Sequence, residues 1–111
     1  MPTLEFQGKQ YEVDEDGYLL NLDEWNKEFG GHIAKLEEIE MTDAHWEVIN
    51  FLRDYYQKYQ IAPMIKILVK EIAKVMGPDK GTTKYLYELY PGGPAKQACK
   101  IAGLPKPTGC V

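Results

Sequence analysis

The segment from Thr42 to Tyr59 places the tightest limits on the architecture. The seventeen residues from Asp43 to Tyr59 contain neither glycine nor proline. Within them Trp46, Ile49, Leu52, Tyr56 and Tyr59 recur at helical spacing, so one face is an apolar stripe. Thr42 is a good N-cap for such a helix, with Asp43 in its first turn. A stripe of this period reads as core rather than as an aromatic binding surface. The rest of a 111-residue chain must cover it, which suits one domain with a modest core.

The segments on either side supply the cover. Leu4-Glu5-Phe6 and Tyr11-Glu12-Val13 alternate around Gln7-Gly8-Lys9-Gln10 and predict a β-hairpin. Asp14-Glu15-Asp16-Gly17 predicts a turn, and Tyr18-Leu19-Leu20 a third strand. These acids do not make a calcium loop, because Glu12 stands where the first ligand Asp is needed and strands flank the turn. Asn21 or Asp23 caps a short helix through Trp25 and Phe29, which Gly30-Gly31 is expected to interrupt. Ile33 to Ile39 adds another turn or two of helix.

Beyond the long helix, Gln60-Ile61-Ala62-Pro63 breaks the chain. Pro63 suits the first turn of a helix running to about Met76. Ile65, Leu68, Val69, Ile72 and Met76 form its buried face, with Lys66, Lys70 and Lys74 opposite. Thr82 or Thr83 caps a helix through Tyr90 that buries Leu86 and Leu89. Pro94 opens the last helix, whose Ala95, Ala98, Cys99 and Ala102 share one small-residue face. The helices 43–59 and 63–76 also have the shape of a helix-turn-helix, with the lysine row available to a phosphate backbone. That row lacks arginine, the best base-reading side chain.

Charge divides the chain. Residues 1–55 hold 14 acidic and 4 basic side chains, whereas residues 56–111 hold 3 acidic and 9 basic ones. The second half can steer toward anionic partners or an anionic sulfur species, or it is simply a solvated surface balanced by the acidic half. No apolar run approaches a membrane helix and no signal peptide is visible, so a cytoplasmic protein is expected. His32 and His45 have no partner at ligand spacing and are expected to be solvent-exposed. No metal site and no cofactor are predicted.

Both cysteines lie in the basic half, eleven residues apart. In a cytoplasmic protein they read as reactive or buried thiols rather than a permanent disulfide. Cys99 is either a small buried hydrophobe on its alanine face or the resolving partner of Cys110. Cys110 is the penultimate residue, after Pro105-Lys106-Pro107-Thr108-Gly109. Gly103 can end the last helix, and the two prolines favour an extended path. Fully extended, that arm carries Cys110 about 36–40 Å from Cys99, and its glycines also allow it to fold back. The C-terminal carboxylate disfavours a Cys110 thiolate, while Lys106 and the basic half favour it. Nucleophilic sulfur transfer is the chemistry such a thiol offers: a thiolate takes a sulfane sulfur as a persulfide, and a second thiol in reach can close a disulfide. The chain has no glycine-rich phosphate loop, no recognisable Ser/His/Asp set and no metal cluster in its sequence.

The run Leu89-Tyr90-Pro91-Gly92-Gly93-Pro94-Ala95-Lys96-Gln97-Ala98-Cys99, followed by Ala102-Gly103-Leu104-Pro105-Lys106-Pro107-Thr108-Gly109-Cys110-Val111, closely resembles the DsrC family. These are the gamma-type proteins of dissimilatory sulfite reductase, related to the TusE proteins of tRNA thiolation. The resemblance also covers Gly8-Lys9, Asp14 to Leu19, Thr42, His45-Trp46, Ile49 to Tyr56 and Ile61-Ala62-Pro63. It implies that Cys110 enters the sulfite reductase active site and carries sulfur, and that Cys99 permits an intramolecular trisulfide or disulfide. TusE-like members need only the penultimate cysteine, so the second one favours the sulfite-reductase partner. Lys66 departs from the arginine of many relatives, and the two are not interchangeable for bidentate anion contacts. Tyr90 and Gly92-Gly93 depart from the family's commoner Phe-Pro-x-Gly pattern.

The sequence therefore predicts a single α+β domain over 1–111. It consists of a small antiparallel sheet at 1–20, a mainly helical, helix-turn-helix-like array at 21–102, and a mobile cysteine-bearing arm at 103–111. The expected function is a sulfur carrier, a co-substrate of dissimilatory sulfite reductase rather than an enzyme. Cys110 is expected as the sulfur acceptor and Cys99 as the resolving or trisulfide partner. Implied partners are the reductase alpha and beta subunits, sulfurtransferases of the DsrE or TusBCD type, and a membrane redox complex that reduces the trisulfide. The alternatives are a TusE-like relay for tRNA 2-thiouridine and a DNA-binding regulator.

Overall fold

The hairpin forms where the alternation places it. The computed structural model of the chain describes residues 2–107, within which β1 (Thr3–Phe6) pairs antiparallel with β2 (Lys9–Glu12), Leu4 opposite Tyr11. Gln7 and Gly8 alone turn the chain, both at positive φ (52° and 78°), which matches the twist of a two-residue hairpin. The expected third strand is a single bridge between Val13 and Leu19. Asp14 is the reason the chain returns there: its carboxylate accepts from the Asp16 and Tyr18 amides, both at 2.9 Å.

One 3-10 turn, Leu22–Glu24, is capped by Asn21 and precedes α1 (Lys27–Leu36), capped by Asn26. The expected break at Gly30-Gly31 does not occur, and α1 runs straight through the pair. Gly30 is used for close approach instead. A Cβ there would lie 2.9 Å from the Ile101 carbonyl oxygen and 3.0 Å from the Trp25 ring. Packing of α1 on the end of the last helix thus outweighs glycine's weak helix propensity.

The long helix, α2 (Asp43–Tyr59), and the next, α3 (Ile65–Met76), lie where the sequence sets them, except that α3 starts after Pro63 rather than on it. Gln60 ends α2 in the left-handed region at φ 59°. Val48, Ile49 and Leu52 are buried at the centre of α2, and Trp46 and Tyr56 pack at its edge. Tyr59 leaves the expected stripe: it is 47% exposed, its ring tilted 48° against that of Tyr55 at the last turn of α2. Thr82 caps α4 (Thr83–Leu89), whose Leu86 is buried. Pro94 begins α5 (Pro94–Ile101). This last helix packs against α1, α2, α3 and α4 and occupies the middle of the core.

His45 is buried, contrary to expectation. Its Nδ1 accepts from the Thr42 amide at 3.1 Å, and Nε2 lies 2.8 Å from the Leu89 carbonyl. The ring thereby bridges the start of α2 to the end of α4. His32 is half-buried and stacks on Phe6 at 4.6 Å.

Candidate functional site: Cys99 and the base of the C-terminal arm

Ala95, Ala98, Cys99 and Ala102 face the core together, as their spacing requires, and Cys99 is fully buried. Small side chains let α5 sit centrally, and the same packing leaves the thiol no route to water. Burial pushes the Cys99 thiol up to about 12 from an ordinary 9.0, so at neutral pH it is protonated and a poor nucleophile.

The end of α5 is built with unusual care. Gly103, at φ 72°, follows Ala102, and its amide donates to the Lys100 carbonyl at 3.2 Å. The Leu104 amide donates to the Cys99 carbonyl at 2.9 Å, completing a Schellman motif. Two side chains from elsewhere hold the remaining carbonyls. Trp25 Nε1 donates to Ile101 at 2.7 Å, and Arg53 Nη1 donates to Ala102 at 2.6 Å. The Arg53 guanidinium also lies 4.1 Å over the Trp25 ring. Partial burial lowers the pKa of Arg53, opposed by the charge of Asp23.

The described part of the arm lies on the body rather than away from it. Leu104 and Pro107 are buried, and Lys106 pairs with Asp16 at 2.8 Å. Lys106 thereby lines a cleft with Asp16, Tyr18, Glu37, Lys96 and Lys100. Tyr18 donates its hydroxyl to the Lys96 carbonyl at 3.3 Å, and Lys100 pairs with Glu37 at 3.2 Å. Tyr18 is buried, and its pKa rises to about 12, chiefly through that burial. The cleft therefore joins the arm, through Lys106, to the α5 residues Lys96 and Lys100.

Of the two sequence-predicted site residues, Cys99 is placed by α5, and Cys110 lies outside the described residues. Trp25, Arg53 and Tyr18 were not picked out from the sequence as site residues. Arg53 and Tyr18 fell within stretches of family resemblance, which do not specify a role. No group of metal-ligating side chains occurs among the described residues, and none of their helices is long and apolar enough to cross a membrane. On α3, Lys66, Lys70 and Lys74 are exposed, and Lys74 pairs with Glu71 at 3.3 Å.

Known proteins resemble this chain along its whole length. The family model described as DsrC like protein matches residues 5–111. A sulfurtransferase TusE homolog of Haemophilus influenzae is 55% identical, covering 97% of this chain and 99% of its own. Sulfurtransferase TusE of Photorhabdus laumondii is 50% identical over the full length of both. Among solved structures, DsrC of Allochromatium vinosum superposes with a TM-score of 0.88 at 56% identity, covering 98% of this chain and 97% of that one. The oxidised gamma-subunit of the dissimilatory sulfite reductase from Archaeoglobus fulgidus gives 0.85 at 49%, covering 99% and 100%. Matched from its first strand through its final residue, the chain belongs to the DsrC-like family of sulfur carriers.

Proposed function

We propose that this chain accepts a sulfur atom on Cys110 as a persulfide and passes it on within a TusE-type relay, of the kind that serves tRNA 2-thiouridine. The Cys110 thiolate attacks the outer sulfur of a donor persulfide. The donor's S–S bond breaks, the donor leaves as a thiolate, and Cys110 holds the sulfur with no net change of oxidation state. The protein acts as a cytoplasmic co-substrate for sulfurtransferases of the DsrE or TusBCD type rather than as an enzyme.

The observation that supports a single-thiol relay is the sealing of Cys99. It is fully buried and protonated, which leaves Cys110 to do the chemistry while the body keeps this conformation. The TusE names of relatives at 55% and 50% identity favour the same reading.

A second reading is a co-substrate of the dissimilatory sulfite reductase alpha and beta subunits, with sulfur held between Cys110 and Cys99 as a trisulfide for a membrane redox complex to reduce. The presence of Cys99 eleven residues before Cys110, and the 56% identity to DsrC of Allochromatium vinosum, favour it.

The Cys99→Ala variant tests the proposal. With a persulfidated sulfurtransferase as donor and a thiol protein as acceptor, the relay reading expects wild-type transfer from Cys99→Ala and none from Cys110→Ala. Loss of transfer in Cys99→Ala overturns the single-thiol relay in favour of the two-cysteine reading.

A further inference from the structure

We propose that the cleft between the Asp14–Gly17 turn and α5 is a docking site for an acidic segment of a partner protein. The partner's carboxylates take the place that Asp16 now holds among Lys96, Lys100 and Lys106. The cleft holds about 220 Å³. Lys106 pairs with Asp16 at 2.8 Å and Lys100 with Glu37 at 3.2 Å. Among the described residues no carboxylate lies within ion-pair distance of Lys96. Three ammonium groups thus face two carboxylates. Chiefly through its hydrogen bond with Lys106, and further through the charges of Lys100 and Lys96, Asp16 is held below its ordinary 3.8. All three lysines therefore converge where one carboxylate already sits.

Local stability does not account for this arrangement. α5 carries no acidic residue. Lys96 stands in its first turn, where the helix dipole disfavours a cation, and Lys100 repels it from one turn further on. A cluster that breaks local preference with no internal gain marks a functional surface. The fold also makes room for it. Gly17, at φ 90°, lets the Lys100 stem pass: a Cβ there would lie 3.0 Å from its Cε. Gly92 donates its amide to Gln97 Oε1 at 2.9 Å, and a Cβ on it would lie 2.5 Å from Gln97 Nε2. The turn and the loop before α5 are thereby drawn in as walls of the cleft.

The anions already in the cleft are carboxylates, held in pairs that water reaches and that exchange at little cost. An acidic peptide offers the same group. A nucleic-acid backbone fits less well, because its continuous row of charge would run against Asp14 and Glu15 next to Asp16. The cleft also has no arginine to fork a phosphate. Lys106 belongs to the arm, so a partner bound here stands against residues 104–107. The inference goes beyond the sulfur chemistry and does not depend on it, because binding is read with no sulfur donor present.

An acetylated, amidated tetraglutamate peptide, titrated into the full chain at low ionic strength and followed by amide NMR, tests this. Saturable shifts should centre on Gly17, Gly92, Lys96, Gln97 and Lys100, and a tetraglutamine peptide should cause none. Lys96→Gln should weaken binding about two- to fivefold, as expected for one exposed ion pair, and Asp16→Asn should tighten it by a similar factor. Lys96 is exposed, so its variant keeps the fold. Lys70→Gln and Glu47→Gln make the same charge changes away from the cleft and should leave the affinity unchanged. Equal losses in Lys96→Gln and Lys70→Gln would show attraction to overall charge alone and overturn the inference, as would the absence of saturable shifts. Displacement of the peptide by an equal concentration of sulfate would make this a small-oxyanion site. Tighter binding of a short RNA there would make it a nucleic-acid surface. Either result overturns the docking of an acidic protein segment.

Discussion

Lys106 reaches Asp16 across ninety residues of sequence, with Nζ 2.8 Å from Oδ2. This pair fastens the arm to the turn after the hairpin. Each partner shifts the other: Asp16 is held below its ordinary 3.8 and Lys106 above its ordinary 10.5, mainly through their hydrogen bond. The depressed carboxylate contributes docking above its free value and loses it as pH falls through the lowered one. The raised ammonium contributes below its free value and loses it as pH rises through the raised one. Both groups are exposed, so salt screens the pair. The Leu104 amide resonance should therefore hold steady through neutral pH. It should move toward its undocked position in acid, in high salt and in Asp16→Asn, as followed by NMR.

Burial of Cys99 has a thermodynamic signature. Its thiol ionises near 9.0 when unfolded and near 12 when folded. Between those values the unfolded state has released a proton that the folded state keeps, so stability falls as pH rises. The slope from this one group is at most about 1.4 kcal/mol per pH unit. Denaturant melts of wild type and Cys99→Ala at several pH values above 9.0 check it: the difference between the two proteins should change with pH in that direction. Iodoacetamide should label Cys99 only on unfolding.

The paired glycines of α1 should respond oppositely to alanine. Gly31 has open space where a Cβ would go, so Gly31→Ala should stabilise by about 0.5–1 kcal/mol through helix propensity. Gly30→Ala drives a methyl against the Ile101 carbonyl and should destabilise, by about 1–3 kcal/mol for an overpacked site. Urea melts of the two variants give the signs directly.

His45 and Tyr90 form one buried joint. Tyr90 donates its hydroxyl to the His45 carbonyl at 2.9 Å, and burial raises its pKa. Tyr90→Phe removes that bond while the carbonyl keeps its helical one, and should cost about 0.5–1.5 kcal/mol, measured by thermal or urea unfolding.

Much of this fold was legible because its signals are local. Thr42, Gln60, Thr82, Pro94 and Gly103 act within a few residues of themselves, and the helix ends they mark lie within two residues of expectation. Gly30 failed as a breaker because its reason for being glycine lies seventy residues away, in the Ile101 carbonyl. His45 is expected to be exposed because it has no partner at ligand spacing, and its burial follows from an imidazole filling the Glu/Gln place of a capping box with Thr42. The alternatives for Cys99 needed the position of every packed neighbour. Trp25 and Arg53 join the site only through tertiary contacts, which no spacing records.

The account depends most on where sulfur is loaded. Intact mass under non-reducing conditions, after incubation with a persulfide donor, answers this for wild type, Cys99→Ala and Cys110→Ala. Wild type and Cys99→Ala should each gain the mass of one sulfur atom, and Cys110→Ala should gain nothing. A gain in Cys110→Ala equal to that of the wild type would contradict the assignment of Cys110 as the carrier.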